Sequence, residues 1–244
     1  MRKFGLIGRD ISYSFSRKYF SEKFSRENIA ATYENFDLQE ITEFPRVISA
    51  NPQLKGLNVT IPYKEAIFPF LDTLDPVAEE IGAVNTIKVG ENGKLTGYNT
   101  DYYGFAEALK PHLKPHHKKA LILGTGGASK AVKYALETLG ITPKFVSRTP
   151  AKNAISYKDL SEEVLADHTV IVNTTPLGTF PRTTEFPAVP VEYLDARHLL
   201  FDLIYNPAKT ALMQKAEDRG ARVLNGQKML ELQAEKAWEI WNKS

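Results

Sequence analysis

The stretch LILGTGGASKAVKYALETLG, Leu121 to Gly140, constrains the fold of this chain more than any other. Its opening apolar run is too short for a helix and stops at Gly124-Thr125-Gly126-Gly127. The residues beyond carry Ala131, Val132, Ala135, Leu136 and Leu139 at helical spacing. The alternation then continues through KFVS, a helix before Asp167, TVIVN, LLFDLI, a helix from Thr210 to Arg219, and RVLN. Strands separated by helices need crossover connections, and crossovers make parallel neighbours. The second half of the chain therefore reads as a doubly wound parallel sheet.

A glycine turn at this place lets the backbone approach a pyrophosphate, whose charge the helix N-terminus meets. The third position of the fingerprint is Ser129, small enough for close helix–strand contact. A glycine triplet alone is a weak signal; the flanking strand, helix and further strand make it a dinucleotide site. The end of the second strand, FVSRTPAK (Phe145 to Lys152), indicates which dinucleotide. An NAD site usually places an acid there for the ribose 2′-hydroxyl, whereas here the nearest acid is Asp159. A planar guanidinium suits a 2′-phosphate. The expected cofactor is NADP(H), with Gly124, Thr125, Gly126, Gly127 and Ala128 at the pyrophosphate. Ser147, Arg148, Thr149 and Lys152 are the expected 2′-phosphate contacts.

The first half has a different texture. Phe4–Gly8, Thr32–Phe36 and Leu57–Ile61 read as strands, and Ser16–Asn28 as a helix with Tyr19, Phe20 and Phe24 on one face. A helix over 38–50 contains Pro45, expected to kink or shorten it; shorter helices follow over 64–71 and 76–81. Residues 83–89 and 94–99 alternate about Glu91-Asn92-Gly93, a hairpin signal. KPHLKPHHKK, residues 110–119, reads as a solvated linker; His112, His116 and His117 have no carboxylate beside them, so no metal is expected. The last helix, Gln227 to Trp241, carries Trp238 and Trp241 as packing residues. The expected class is α/β: a Rossmann-like domain over 102–225 and an N-terminal α/β substrate domain over 1–101. Residues 226–244 rejoin the latter, and a cleft lies between the two.

The nucleotide domain leaves GLNVTIPYKEA, Gly56 to Ala66, unexplained. An apolar strand there ends at a proline, with Asn58, Thr60 and Lys64 spaced to gather at one rim. SYSFS (12–16), GAVNT (82–86) and GYNTD (97–101) fall at other element ends. Singly, such residues cap helices, make turns or sit in solvent. Together they suit a small polyhydroxylated anion: Ser14 and Ser16 for a carboxylate, Thr60, Asn85 and Asp101 for ring hydroxyls.

Composition narrows the classes. With 31 basic against 29 acidic residues, no strong field recruits nucleic acid or a membrane surface. The absence of cysteine removes disulfides, thiolate metal sites and cysteine nucleophiles. The N-terminal apolar run of five residues is too short for a signal peptide, and none approaches the ~20 needed to span a bilayer. A cytoplasmic protein with a small-molecule substrate is expected, as a monomer or homodimer.

The motifs, taken together, resemble those of the shikimate dehydrogenases over nearly the whole chain. They are SxS (Ser14, Ser16), NVTxPxK (Asn58–Lys64), GAVNT, NTDxxG (Asn99–Gly104), GxGGA (Gly124–Ala128), NTTPLG (Asn173–Gly178), DxxYxPxxT (Asp202–Thr210) and MLxxQA (Met229–Ala234). The resemblance implies NADPH-dependent reduction of 3-dehydroshikimate to shikimate, on the path to aromatic amino acids. By the same resemblance Lys64 and Asp101 form the catalytic pair. Ser14, Ser16, Thr60, Asn85, Tyr205 and Gln233 would bind substrate, and Thr174 and Gly226 would join the cofactor residues. A hydride passes to the carbonyl carbon while Lys64 supplies the proton, an acid–base contribution typically worth ~10²–10⁴ in rate. The chain departs from the family pattern at Asp10, Tyr13, Arg17, Ser147, Thr179 and Lys228. The alternatives are a quinate or quinate/shikimate dehydrogenase using NAD or NADP, and a non-catalytic NADP-binding regulator, which would have lost Lys64 or Asp101.

Overall fold

The computed structural model describes residues 1–12, 14–149 and 153–243. The chain divides into two compact units, residues 1–103 with 231–244, and residues 104–230.

The first unit opens with β1 (Arg2–Gly8), α1 (Phe15–Arg26) and β2 (Ala31–Asp37), then α2 (Phe44–Ala50) and β3 (Leu54–Val59). It continues with α3 (Tyr63–Ala66), β4 (Thr73–Leu74), α4 (Pro76–Ile81), β5 (Thr86–Val89) and β6 (Leu95–Tyr98). The sheet order is β2-β1-β3-β5-β6-β4. β1 runs parallel to both β2 and β3, whereas β5 is antiparallel to β3 and β6. The chain thus leaves β1 toward one side and returns on the other, so its C-terminal end is a topological switch point, where open α/β sheets place their ligands. Because β5 runs against β3, the start of β5 and the end of β6 come to that same rim.

Prolines set the helices here. The helix expected over 38–50 is shortened to Phe44–Ala50 behind a single 3₁₀ turn, with Pro45 in the first turn, where no N–H is needed. That expected over 64–71 stops at Ala66 and gives way to a 3₁₀ turn around Pro69. One face of the sheet packs Ile7, Leu57, Val59, Tyr63, Ile67 and Ile87. The other packs an aromatic cluster of Phe4, Phe20, Phe24, Tyr33 and Trp241. Burial of such a side chain contributes roughly 1.5–3 kcal/mol.

α5 (Asp101–Leu109) was not evident in the sequence, since Gly104 at its centre lowers helix propensity. The second unit then runs through β7 (Lys119–Leu123), α6 (Gly127–Thr138), β8 (Thr142–Ser147), β9 (Ala154–Ser156), α7 (Glu162–Asp167) and β10 (Val170–Asn173). It closes with β11 (Leu199–Asp202), α8 (Ala211–Glu217), β12 (Arg222–Leu224) and the start of α9 (Gln227–Asn242). Every pairing in the order β12-β11-β10-β7-β8-β9 is parallel, as the alternation of strand and helix requires. β7 and β10 flank the switch point of this sheet. The histidine stretch is less solvated than expected. His117 is buried, and the Nε2 atoms of His116 and His117 both meet the Arg197 carbonyl, at 3.0 and 3.1 Å. No metal-binding group of histidine and carboxylates occurs among the described residues. No helix among them is long and apolar enough to cross a membrane.

Candidate active site

In the first unit the switch-point rim gathers side chains from five segments: the start of α1, the β3–α3 turn, the approach to β5, the start of α5, and α9. Lys64 stands on α3, which Tyr63 anchors by donating to the Leu38 carbonyl at 2.7 Å. Its Nζ donates to Asp101 Oδ2 at 2.6 Å. Asp101 opens α5, and the Asn99 side chain accepts from the N–H groups of Asp101 and Tyr102 at 3.0 and 3.3 Å. That satisfies donors the first turn leaves orphaned. Asn99 is itself fixed by donating to the Ala83 carbonyl. The second carboxylate oxygen of Asp101 accepts from Asn85 Nδ2 at 2.9 Å.

Asn85, just before β5, is buried, and its Oδ1 accepts from the Thr100 N–H at 2.6 Å. Its amide therefore bonds within the rim, where it holds Asp101. Gln233, on α9, approaches Asn85 Nδ2 and Thr100 Oγ1 at 3.5 and 3.4 Å. Thr60 begins the turn after β3: its N–H donates to Ile7 O and its carbonyl accepts from Tyr63. Asn58, expected on the rim, is buried below it, accepting from Tyr33 Oη at 2.7 Å and donating to Asn85 O and Thr86 Oγ1.

Ser14 is the N-cap of α1; its Oγ accepts from Arg17 N and donates to Asn35 Oδ1, both at 3.1 Å. Ser16, the second residue of α1, is near Tyr33, whose hydroxyl burial holds in its neutral form. Asp10, where the resembled family commonly has proline, has φ 56° and gives its N–H to Asp37 Oδ1 at 3.0 Å. Proline can adopt neither that φ nor that bond, so the substitution fits the local turn. Tyr13 lies outside the described residues. Asn35, Tyr33, Thr100 and Asn99 are supporting residues that sequence reasoning left unassigned; the capping role of Asn99 stayed hidden with the helix it caps.

In the second unit the glycine loop joins β7 to α6. Gly124 has φ 99°, a conformation L side chains avoid. Gly126 is the N-cap of α6 and has no side chain to occupy the first N–H groups, and a Cβ there would meet nothing within 4 Å. An open backbone cradle ahead of a twelve-residue helix fits a pyrophosphate. Thr125 is exposed, and Gly127 and Ala128 begin α6. Thr174 follows β10 across the switch point, donates to Leu123 O at 2.6 Å, and lies where a Cβ on Gly124 would stand 3.0 Å from its Oγ1. Ser147 ends β8, its Oγ accepts from the Thr149 N–H at 3.2 Å, and Arg148 is exposed, its charge felt at the Tyr157 hydroxyl. Lys152 lies outside the described residues. Tyr205 is exposed, on the segment after β11. Gly226 donates its N–H to Ile204 O, and a Cβ there would stand 2.0 Å from the Leu203 carbonyl oxygen. Its role in this structure is close backbone approach.

Residues 6–87 match the family model described as the shikimate dehydrogenase substrate binding domain. A shikimate dehydrogenase (NADP(+)) of Carboxydothermus hydrogenoformans is 39% identical, over 97% of this chain and 90% of that protein. This chain belongs to the shikimate dehydrogenase family. Among solved members of the family, shikimate 5-dehydrogenase of Thermus thermophilus, in complex with NADP(H) and shikimate, superposes with a TM-score of 0.88 at 31% identity. The match covers 99% of this chain and 94% of that one. Quinate dehydrogenase of Corynebacterium glutamicum in complex with NAD has the same TM-score of 0.88 at 27% identity, over 99% and 93% of the two chains. Fold alone therefore does not separate shikimate from quinate within the family.

Proposed function

We propose that this protein catalyses the reversible, NADPH-dependent reduction of the ring ketone of 3-dehydroshikimate to shikimate. The observation that carries the reading is the Lys64–Asp101 pair, 2.6 Å apart, with Asp101 held on its other oxygen by Asn85. The first unit is the substrate domain and the second binds NADP(H). When bound, NADPH supplies the hydride. Lys64 Nζ holds the proton for the carbonyl oxygen, and in oxidation takes it from the substrate hydroxyl. Asp101 and Asn85 keep that nitrogen oriented, so the rim is set before substrate arrives. Ser14 and Ser16 receive the carboxylate; Thr60, Asn85, Gln233 and Tyr205 complete the substrate contacts.

On the cofactor side, the open cradle at Gly124 to Ala128 takes the pyrophosphate, and Arg148 with Ser147 and Thr149 the 2′-phosphate. The exposed guanidinium at the end of β8, with no acid in its place, favours NADP over NAD. It also favours shikimate dehydrogenase over the NAD-linked quinate enzymes. Replacing Lys64 tests the assignment: Lys64→Ala lowers turnover by ~10²-fold or more while NADPH binding, followed by fluorescence, is retained. Turnover equal to that of the unaltered protein would remove Lys64 from the mechanism.

A further inference from the structure

Asp202 is the least solvated carboxylate in the chain's second unit and has no part in the chemistry above. It closes β11, is completely buried, and its hydrogen-bonding partners are uncharged. Oδ1 accepts from Asn173 Nδ2 at 3.0 Å and from the Ile204 N–H at 3.1 Å, and Oδ2 accepts from Thr210 Oγ1 at 2.7 Å.

Each of those donors belongs to a different part of the switch-point region. Asn173 ends β10; its own Oδ1 accepts from the Thr175 N–H and hydroxyl at 3.0 and 2.8 Å, which fixes the turn beginning at Thr174. Ile204 precedes Tyr205, and its carbonyl accepts from Gly226. Thr210 is the N-cap of α8, its Oγ1 accepting from Met213 at 3.3 Å, and so closes the segment that began at Leu203. Backbone bonds run alongside: Leu203 N to Asn173 O at 3.0 Å, and Phe180 N to Asn206 O at 3.4 Å. Thr174 in turn donates to Leu123 O, at the foot of the glycine loop.

We propose that Asp202 is a positioning residue: its buried carboxylate locks the Thr174 turn, the Tyr205 segment and Gly226 into one body against the glycine loop, so that NADP(H) meets a preset surface. The inference rests on the functional reading above for the identity of the ligand. A carboxylate is the chemical choice because it is acceptor-only and carries two oxygens, enough for three donors arriving from three directions. Its burial without a cation is costly, pushing its pKa up to about 6 against those hydrogen bonds. An apolar side chain would fill the same space without that cost but would leave Asn173, Ile204 and Thr210 unpaired.

The test compares Asp202→Ala, Asp202→Asn and Thr210→Val with the unaltered protein, at a temperature where circular dichroism shows each fully folded. Two readouts are taken: NADPH affinity by fluorescence titration, and kcat and KM separately. Asp202→Ala is expected to weaken NADPH binding and raise the KM for NADP⁺ by about 10- to 100-fold, the cost of a ligand site displaced by about 1 Å. Asp202→Asn restores most of both, because the Thr210 hydroxyl can reverse and accept from the new amide. Thr210→Val, which cuts the Oδ2 bond and the Met213 cap but leaves both bonds to Oδ1, lies between. Unaltered NADPH affinity and KM in folded Asp202→Ala would overturn the proposal. Should that variant fail to fold, the same result in Thr210→Val would overturn it. Absence of shikimate turnover in the unaltered protein would count against the functional reading alone, since NADPH affinity across the series still decides the role of Asp202.

Discussion

Two carboxylates in this protein show how one residue type takes different work from its surroundings. Asp101 sits at a helix start beside a lysine, and its oxygens are divided between Lys64 and Asn85. Asp202 is sealed among neutral donors, and burial outweighs their hydrogen bonds in setting its pKa near 6. The sign of its effect on stability follows. Below the ordinary value of 3.8 the group is protonated folded and unfolded; above about 6 it is ionised in both. In between, the folded chain holds more protons, so stability falls as pH rises from about 4 to about 6. The cost accumulated over that interval is about 3 kcal/mol as an order of magnitude. Urea denaturation across this range should show that downward slope in the protein relative to Asp202→Asn, where the titrating group is absent. Parallel pH profiles for the two would mean that Asp202 is not raised.

At the scale of elements, the glycines and prolines explain most of what was legible and much of what was not. The glycine turn at Gly124 and the strands around it were readable because each local signal agreed with the next. The hairpin of β5 and β6 was equally plain from Asn92-Gly93. α5 was hidden by Gly104, β9 is only three residues long, and β4 only two, below what periodicity resolves. Lys64, Asp101 and Asn85 were legible as motif residues, but the approach of Lys64 to Asp101 depends on the antiparallel pairing of β5 with β3, which no local pattern states. The buried tie of Asp202 to Asn173 and Thr210 was likewise invisible, because it joins residues across β10 and β11. Gly56 makes the same point in packing. A Cβ there would stand 2.2 Å from the Trp241 ring, although the two are far apart in sequence. Gly56→Ala should therefore destabilise the protein by about 1–3 kcal/mol, the usual cost of overpacking, as a lower urea midpoint. An unchanged midpoint would show that the Trp241 contact is loose.

For the whole molecule, the C-terminal helix is what makes the first unit more than a sheet of local elements. From Glu231 on, α9 belongs with residues 1–103, and Trp241 donates its Nε1–H to the Ile87 carbonyl at 3.0 Å while packing on Phe4 and Phe20. Lys23 on α1, buried, pairs with Glu235 at 2.9 Å and adds a polar tie to the same helix. This long closure also brings Gln233 to Asn85 and Thr100, so the last turns of the chain complete a rim begun at Ser14.

The central claim is that this rim reduces 3-dehydroshikimate with NADPH. The most direct measurement offers the protein shikimate and quinate separately, each with NADP⁺ and with NAD⁺, and follows reduced nicotinamide by absorbance. Turnover chiefly with shikimate and NADP⁺ is predicted from the Lys64–Asp101 pair and from Arg148 at the end of β8. Preference for quinate or NAD⁺ would contradict the assigned specificity, and no turnover with any pair, despite measurable NADPH binding, would contradict the mechanism itself.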